Sequence, residues 1–178
     1  MALRPHPATP CGAAIAVDAA ATRPRPGVLK LTYVVTGDLG ALYLPPADQP
    51  ARADELWKRT CFEAFVRPGA GEAYFEFNFA PTRAWAAYRF DGYRQGMANL
   101  DLMPPDIQAR TSGERYELTV TLGLPDGPTD QSWRLGLSAV IEAVNGEKSY
   151  WALAHPPGKP DFHHPDSFAL DLSSAESA

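Results

Sequence analysis

Apolar residues recur at every second position through the centre of the chain, from residue 60 to residue 88. This is the period of a β-strand that buries one face. In residues 74–79 phenylalanine takes every odd position, while Glu76 and Asn78 take even ones. Because Pro68 and Gly69 interrupt the pattern just before this run, we expect two strands joined as a hairpin, with the phenylalanines in the core.

The polar face of this hairpin is unusually acidic. Glu63 alternates with apolar neighbours in the first strand as Glu76 does in the second, so the two carboxylates are expected on one side of the sheet. Acidic residues in that position are either solvated or line a ligand groove. The pattern alone leaves both possibilities open.

Similar short runs with a period of two occupy most of the remaining chain. We predict strands at residues 11–19, 28–36, 39–44, 85–90, 107–110, 116–122, 133–144, 149–153 and 167–172. Residues 91–106 have no clear period, which is typical of a functional or mobile loop. About ten short strands without an amphipathic helix predict an all-β fold, an antiparallel β-sandwich of the jelly-roll or immunoglobulin-like kind.

The length of 178 residues suits one domain with short extensions. We expect a lead-in with a first strand in residues 1–27, a ligand-binding sandwich in residues 28–172 and a frayed tail in residues 173–178. The proline-rich residues 1–10 are expected to be loose. The composition agrees with many strands and turns, since the chain has 18 Pro, 8 Phe, 7 Tyr and 4 Trp.

Charge and hydropathy restrict the partners. A formal net charge of -5 argues against nucleic acid or an anionic membrane surface as the main partner. We find no stretch apolar and long enough to cross a bilayer, and prolines interrupt any signal peptide, so a cytoplasmic location is expected. Cys11 and Cys61 make no disulfide framework and are expected to be small buried residues.

Several aromatic residues do not fit the inward register, and they are candidates for a groove. These are Trp57, Trp85, Tyr88, Tyr93 and Trp151. Indole and phenol rings offer flat faces to a sugar or a planar cofactor, and nearby polar groups bind hydroxyls. The polar candidates are Glu63, Glu76, Asn78, Arg134 and Glu142. The alternative is that each ring only closes one end of the sandwich.

Two further kinds of chemistry are open to these residues. Glu63 and Glu76 would serve as general acid and base if their carboxyls lay at a suitable separation, although no activated serine or cysteine motif accompanies them. His155, His163 and His164 lie near Asp161 and Asp166, where a transition metal finds suitable ligands. Their spacing matches no zinc template, so a structural or hydrogen-bonding role is favoured.

Haem is a separate alternative, with Met97 or Met103 opposite His155 or His163 as axial ligands. Nothing in the sequence shows that these residues converge.

The segments DELWKRTCFEAFV, YFEFNFAPTRAWAAYRFDGYRQGM, AVIE, SYWALAHP and KPDFHHPDSF together resemble the bacterial DOMON-like proteins, relatives of family 9 carbohydrate-binding modules. The resemblance covers residues 28–172. It implies a β-sandwich that binds a sugar or haem without chemical conversion. In the sugar-binding relatives tryptophans hold the sugar, which makes Trp57, Trp85 and Trp151 the candidates here. In the haem-binding relatives a methionine pairs with a histidine or lysine.

The expected function is therefore a non-catalytic module for a small carbohydrate or carbohydrate-like molecule, without a cofactor or metal. The predicted ligand-binding residues are Trp57, Glu63, Glu76, Asn78, Trp85, Tyr88, Arg134, Glu142, Trp151 and His155. A haem-binding or electron-transfer domain, with Met97, His155 or His163 as ligands, and a carboxylate-based enzyme acting on a sugar are the alternatives.

Overall fold

A computed structural model of the protein describes residues 1–124 and 131–173, so the expected tail lies outside the described residues apart from Ser173. Within these residues the chain forms thirteen strands and three short 3-10 helices. The strands are Arg4–Pro5 (β1), Ile15–Arg25 (β2), Val28–Gly37 (β3), Ala51–Arg52 (β4), Cys61–Pro68 (β5), Tyr74–Phe79 (β6), Ala84–Phe90 (β7), Ala98–Asn99 (β8), Asp106–Ser112 (β9), Arg115–Gly123 (β10), Trp133–Glu142 (β11), Lys148–Ala152 (β12) and Leu170–Leu172 (β13). The 3-10 helices are Leu39–Ala41, Leu56–Lys58 and Pro165–Ser167. No described helix is long and apolar enough to cross a membrane.

The strands form two sheets that pack as a β-sandwich, which confirms the predicted fold class. The smaller sheet has the order β2-β3-β10-β9 and is antiparallel throughout. The larger sheet has the order β1-β12-β11-β5-β6-β7-β4, and β13 and β8 add to β11 and β7. Its pairs are antiparallel except for the short parallel pair of β4 and β7. The predicted central hairpin is β5 and β6.

The core between the sheets contains the phenylalanines that the alternating pattern placed inside. Phe77 and Phe79 are buried in it, as is Phe62, whose ring stacks on Tyr116 of the smaller sheet with 5.8 Å between ring centroids. The hydroxyl of Tyr33 donates a hydrogen bond of 2.6 Å to the backbone oxygen of Glu63, which ties the two sheets together. Since an unbonded buried hydroxyl is costly, this contact fixes how the sheets face each other.

Trp85 and Trp151 belong to this core, which corrects their prediction as groove residues. Each side chain is only 5% exposed. In β7 the two faces are nearly equally apolar, so the alternation does not show which one faces the smaller sheet. On β12 the indole nitrogen of Trp151 donates to the Ser149 hydroxyl at 2.9 Å, which satisfies its polar atom inside the core.

The outer face of the larger sheet is also covered. A second apolar cluster lies there, and it includes Phe65, Tyr74 and Tyr88 from the sheet together with Phe162 and Phe168 from the segment before β13. A sheet with two covered faces has no solvated side. The acidic residues on this face are therefore not simply solvated.

Several local expectations differ from the structure. The first strand begins at Ile15 rather than residue 11, and residues 39–44 form a 3-10 turn and an isolated bridge at Leu42 instead of a strand. Residues 1–10 are not loose as a whole, because β1 pairs with β12 and Leu3 is buried. Cys61 is buried as predicted, whereas Cys11 is half-buried.

Candidate ligand-binding site

A cleft of about 370 Å³ opens on the outer face of the larger sheet. Its floor comes from β5, β6 and β11, and its walls come from segments that cross this face. The floor is polar at its centre because Glu63 and Glu76 both line the cleft. Their common face is the one predicted from the alternation in residues 60–88.

Strand register brings the polar floor residues together. Glu63 on β5 lies opposite Asn78 on β6 and opposite Ser138 on β11. Asn78 donates from Nδ2 to Oε1 of Glu76, two residues away on the same face, at 2.7 Å. All four residues are buried, with Glu63 4% and Glu76 5% exposed.

Burial changes the acidity of both carboxyl groups. It raises the pKa of Glu63 well above the ordinary value, and the nearby charge of Glu76 adds to the effect. The pKa of Glu76 rises to about 7, again mainly through burial, although the Asn78 hydrogen bond and the charge of Arg94 oppose the shift. Both carboxyls therefore keep their protons to higher pH than exposed glutamates do.

An imidazole faces the other carboxyl oxygen of Glu76. Nε2 of His163 lies 3.7 Å from Oε2 of Glu76, and the Tyr74 hydroxyl lies 2.7 Å from Nδ1 of the same ring. Burial, followed by the charge of Arg94, lowers the pKa of His163 to about 4. At neutral pH the ring is uncharged, so it provides hydrogen bonding to the site but no counter-charge.

Two chain segments form the walls and are tied to each other. Arg94 and Met97 line the cleft from the segment between β7 and β9, and His163 lines it from the segment before β13. Arg94 donates from its guanidinium to Asp161 at 2.8 Å, and the Tyr93 hydroxyl also donates to the Asp161 carboxylate. The walls are thus joined at the rim by charge-assisted hydrogen bonds.

Aromatic side chains provide the apolar part of the cleft. Phe90, Tyr150 and Phe162 line it together with Trp57, which lies in the 3-10 helix before β5. Trp57 is 37% exposed and therefore accessible to a ligand. Its ring meets Tyr88 edge-on at 6.3 Å between centroids, so Tyr88 supports the indole from below.

The structure brings some predicted site residues together and separates others. Trp57, Glu63 and Glu76 line the cleft, and Asn78 lies beside them in the buried floor. Tyr88 is buried behind Trp57, where its hydroxyl donates to Asp54 at 2.6 Å. Their ligand-binding roles remain predictions.

Arg134, Glu142 and His155 do not line the cleft, which corrects their predicted place in it. Arg134 donates to the backbone oxygen of Phe168 at 3.0 Å, and Glu142 accepts from Arg59 at 3.1 Å. His155 contacts a backbone oxygen near the N-terminus through Nε2. Each side chain already has a partner in the fold, which the strand pattern could not reveal.

Sequence reasoning missed other residues of the cleft, namely Phe90, Arg94, Val140, Tyr150, Pro160 and Phe162. The period of two could have identified Phe90 and Val140, because they share a strand face with Tyr88 and Glu142 respectively. Arg94 and Phe162 lie in irregular segments, where no period predicts the direction of a side chain.

The proposed haem ligands are partly brought together. Met97 and His163 line the same cleft, whereas Met103 and His155 do not. However, one ring nitrogen of His163 contacts Tyr74 and the other faces Glu76. An iron atom would have to displace one of these contacts, so the residues do not fit axial haem ligation as they stand. Among the described residues, no cluster of three or more His, Cys, Asp or Glu side chains is suited to a metal ion.

Comparison with known proteins shows a shared fold. No model of a known protein family matches the chain, and no curated protein matches it. Among solved structures, a Bacteroides uniformis protein proposed to bind carbohydrate aligns with 96% of this chain and 85% of its own, at 14% identity and a TM-score of 0.61.

Two structures of a family 9 carbohydrate-binding module from Caldicellulosiruptor kristjanssonii also align, each at 9% identity. The complex with glucose covers 94% of this chain and 82% of the module, with a TM-score of 0.55. The complex with cellotriose covers 92% and 76%, with a TM-score of 0.58. At these identities the likeness concerns the sandwich architecture, and membership of the DOMON-like group stays a prediction.

Proposed function

We propose that the cleft on the larger sheet binds a small carbohydrate or carbohydrate-like molecule and holds it without chemical conversion. The observation that carries this proposal is the juxtaposition of accessible aromatic surface and buried carboxyls. Trp57 offers a flat ring at the cleft, while Glu63 and Glu76 lie at its floor. A sugar ring has apolar C–H faces and polar edges, and such a site matches both.

The acidity of the floor supports recognition of hydroxyl groups. A carboxyl whose pKa lies near neutrality is present in both forms, so it donates a hydrogen bond in one and accepts in the other. A sugar hydroxyl also does both. The cleft volume of about 370 Å³ lies at the low end of the range for small-molecule pockets, about 300–1,000 Å³, which fits a ligand of one or two rings.

The structural neighbours favour the same ligand class. The Caldicellulosiruptor kristjanssonii module was solved with glucose and with cellotriose. This supports carbohydrate as the first class to screen, while the residues of the present cleft carry the argument.

Tryptophan fluorescence tests the proposal directly. Of the four tryptophans, Trp85, Trp133 and Trp151 are buried and only Trp57 lines the cleft. We expect a mono- or disaccharide to change the emission of the wild-type protein, and Trp57→Phe to remove that change. Glu76→Gln is the matched variant, because it keeps the indole and alters the floor, so it should weaken binding while leaving the signal per bound molecule intact.

Recovery of the sugar unchanged after incubation would complete the case for simple binding. The proposal fails if a broad panel of sugars leaves both fluorescence and melting temperature unchanged. It also fails if the Trp57→Phe protein shows the same emission change as the wild type.

A carboxylate-based enzyme is the second candidate, and the pKa of Glu76 near 7 is the observation that favours it. A general acid works best when its pKa is close to the operating pH. If the wild-type protein converts a bound sugar, and Glu63→Gln or Glu76→Gln abolishes that turnover, the protein is an enzyme and not a non-catalytic binding module. Haem addition is a separate control, and a Soret band that shifts on mixing would support the haem alternative.

A further inference from the structure

The two glutamates at the floor of the cleft have no cationic partner within ion-pair distance among the described residues. The group facing Glu76 is the uncharged ring of His163, and no Lys or Arg side chain forms an ion pair with Glu63. Buried carboxylates normally have a positive charge or several hydrogen-bond donors beside them. In this cleft Glu76 accepts one hydrogen bond, from Asn78, and neither glutamate has an ion pair with Lys or Arg among the described residues.

Two arginines on this side of the sheet, Arg94 and Arg59, already have acidic partners. Arg94 is the cation at the rim, and it is held by Asp161 at 2.8 Å. Arg59 lies farther along the same face and pairs with Glu142 at 3.1 Å. The floor therefore has many hydrogen-bond acceptors and few donors. No Lys or Arg among the described residues forms an ion pair with the two glutamates to balance their negative charge.

Two other polar atoms at the floor have no partner. Oδ1 of Asn78 and Oγ of Ser138 are buried without a hydrogen bond, and these residues lie directly opposite Glu63 on its two neighbouring strands. Unpaired buried polar atoms are uncommon in folded proteins, and each one calls for an explanation. Here they lie on both sides of Glu63.

We propose that the natural ligand carries a protonated primary amine, with an amino sugar as the class that fits, and that its ammonium group lies between Glu63 and Glu76. This inference rests on the proposed function and specifies its ligand. An ammonium group has three donors and no acceptor, so it complements a floor made of carboxylates. Its positive charge also replaces the missing partner of the buried carboxylates, while the sugar ring lies against Trp57.

A neutral sugar carries no such charge. Its hydroxyls form hydrogen bonds with the carboxyls in either protonation state, so its binding does not depend on a charge. The ammonium form instead draws both carboxyls into their ionised state, so binding releases protons. Charge dependence therefore distinguishes the two ligand types.

Calorimetric titration of the full chain with three 2-amino-2-deoxyhexoses, glucosamine, galactosamine and mannosamine, tests the inference. Each is compared with its parent hexose and its N-acetyl derivative, which have the same ring without the positive charge. We expect at least one amine to bind tighter than both of its matched sugars by about tenfold or more, the usual gain of a charged over a neutral hydrogen bond. Its affinity should fall as the pH is lowered from about 7 to about 5, because the carboxyls then take up protons while the amine stays protonated.

Site variants locate the effect. Glu63→Gln should lower the affinity for the amine more than the affinity for the parent hexose, so that the preference for the amine is lost. Glu117→Gln, which removes a carboxylate from the smaller sheet, should leave the preference unchanged. Circular dichroism checks that each variant folds. The comparison of amino sugars with neutral sugars on the wild-type protein does not depend on the variants.

The possible outcomes separate the two proposals. If parent hexoses bind and no amine binds tighter, the amino-sugar inference is overturned and the proposed function stands. If neither amines nor neutral sugars bind, both are overturned.

Discussion

Replacing Glu76 by Gln is expected to stabilise the protein above neutral pH. The pKa of this carboxyl rises from an ordinary value of 4.5 to about 7 on folding, mainly because the group is buried. Between these values the folded chain holds a proton that the unfolded chain has released, so stability falls as the pH rises through this range. Below this pH range the carboxyl is protonated in both the folded and the unfolded chain, so burying it costs no ionisation energy.

The magnitude follows from the same two values. A rise from 4.5 to about 7 corresponds to about 3 kcal/mol of lost folding free energy once Glu76 is fully ionised. Gln has no charge to bury, and its Oε1 still accepts the hydrogen bond from Asn78. Relative to wild type, the variant should therefore gain about 2–3 kcal/mol between about pH 5 and about pH 9.

Urea unfolding followed by circular dichroism across this pH range measures the difference. Glu142→Gln is the matched control, because Glu142 is also buried but has Arg59 as a counter-charge at 3.1 Å. It should show no comparable gain at high pH. The difference in unfolding free energy between Glu76→Gln and wild type should grow as the pH rises. If it is independent of pH, or grows toward acid pH, then Glu76 is not a buried carboxyl without a charged partner.

Three further changes test the fold and the walls of the cleft. Phe77→Ala should destabilise the protein by about 3–5 kcal/mol in urea unfolding, and a loss below about 1 kcal/mol would show that Phe77 is not core. Gly136→Ala would place a Cβ 2.9 Å from the backbone oxygen of Ser167. The variant should therefore lose about 1–3 kcal/mol of unfolding free energy, which a lower melting temperature would show. An unchanged melting temperature would contradict this close approach. Asp161→Asn should speed amide hydrogen exchange in residues 91–99, because it weakens the ion pair with Arg94. The global destabilisation should be less than about 1 kcal/mol because this pair is partly exposed. Unchanged exchange in these residues would mean that the ion pair does not order this wall of the cleft.

The central hairpin could be predicted from sequence because its two faces differ in composition. Phenylalanine at positions 75, 77 and 79 against Glu76 and Asn78 leaves one choice of inward face, and Phe77 and Phe79 are indeed buried between the sheets. The common face of Glu63 and Glu76 follows from the same alternation. Local periodicity was sufficient wherever one face was plainly apolar.

The same rule failed where both faces are apolar. The sequence AWAAYRF of β7 offers Trp85 on one side and Tyr88 on the other, and only the packing of the second sheet decides that Trp85 is inside. The cleft walls failed for another reason. Arg94 and His163 are far apart in the chain and meet through Tyr74 and Asp161, contacts that depend on tertiary folding.

The segment that forms one wall of the cleft also closes an edge of the larger sheet. Its strand β8 pairs with β7 through Tyr88 and Arg89, a few residues after Arg94 and Met97 reach the cleft. Moving this wall outward would break the pairing of β8 with β7 and leave an unpaired strand edge, which opposes the movement. We therefore expect the cleft to keep its shape when empty, so that the sugar proposed above would enter at an ordinary diffusive rate and its residence time would depend on the contacts it makes.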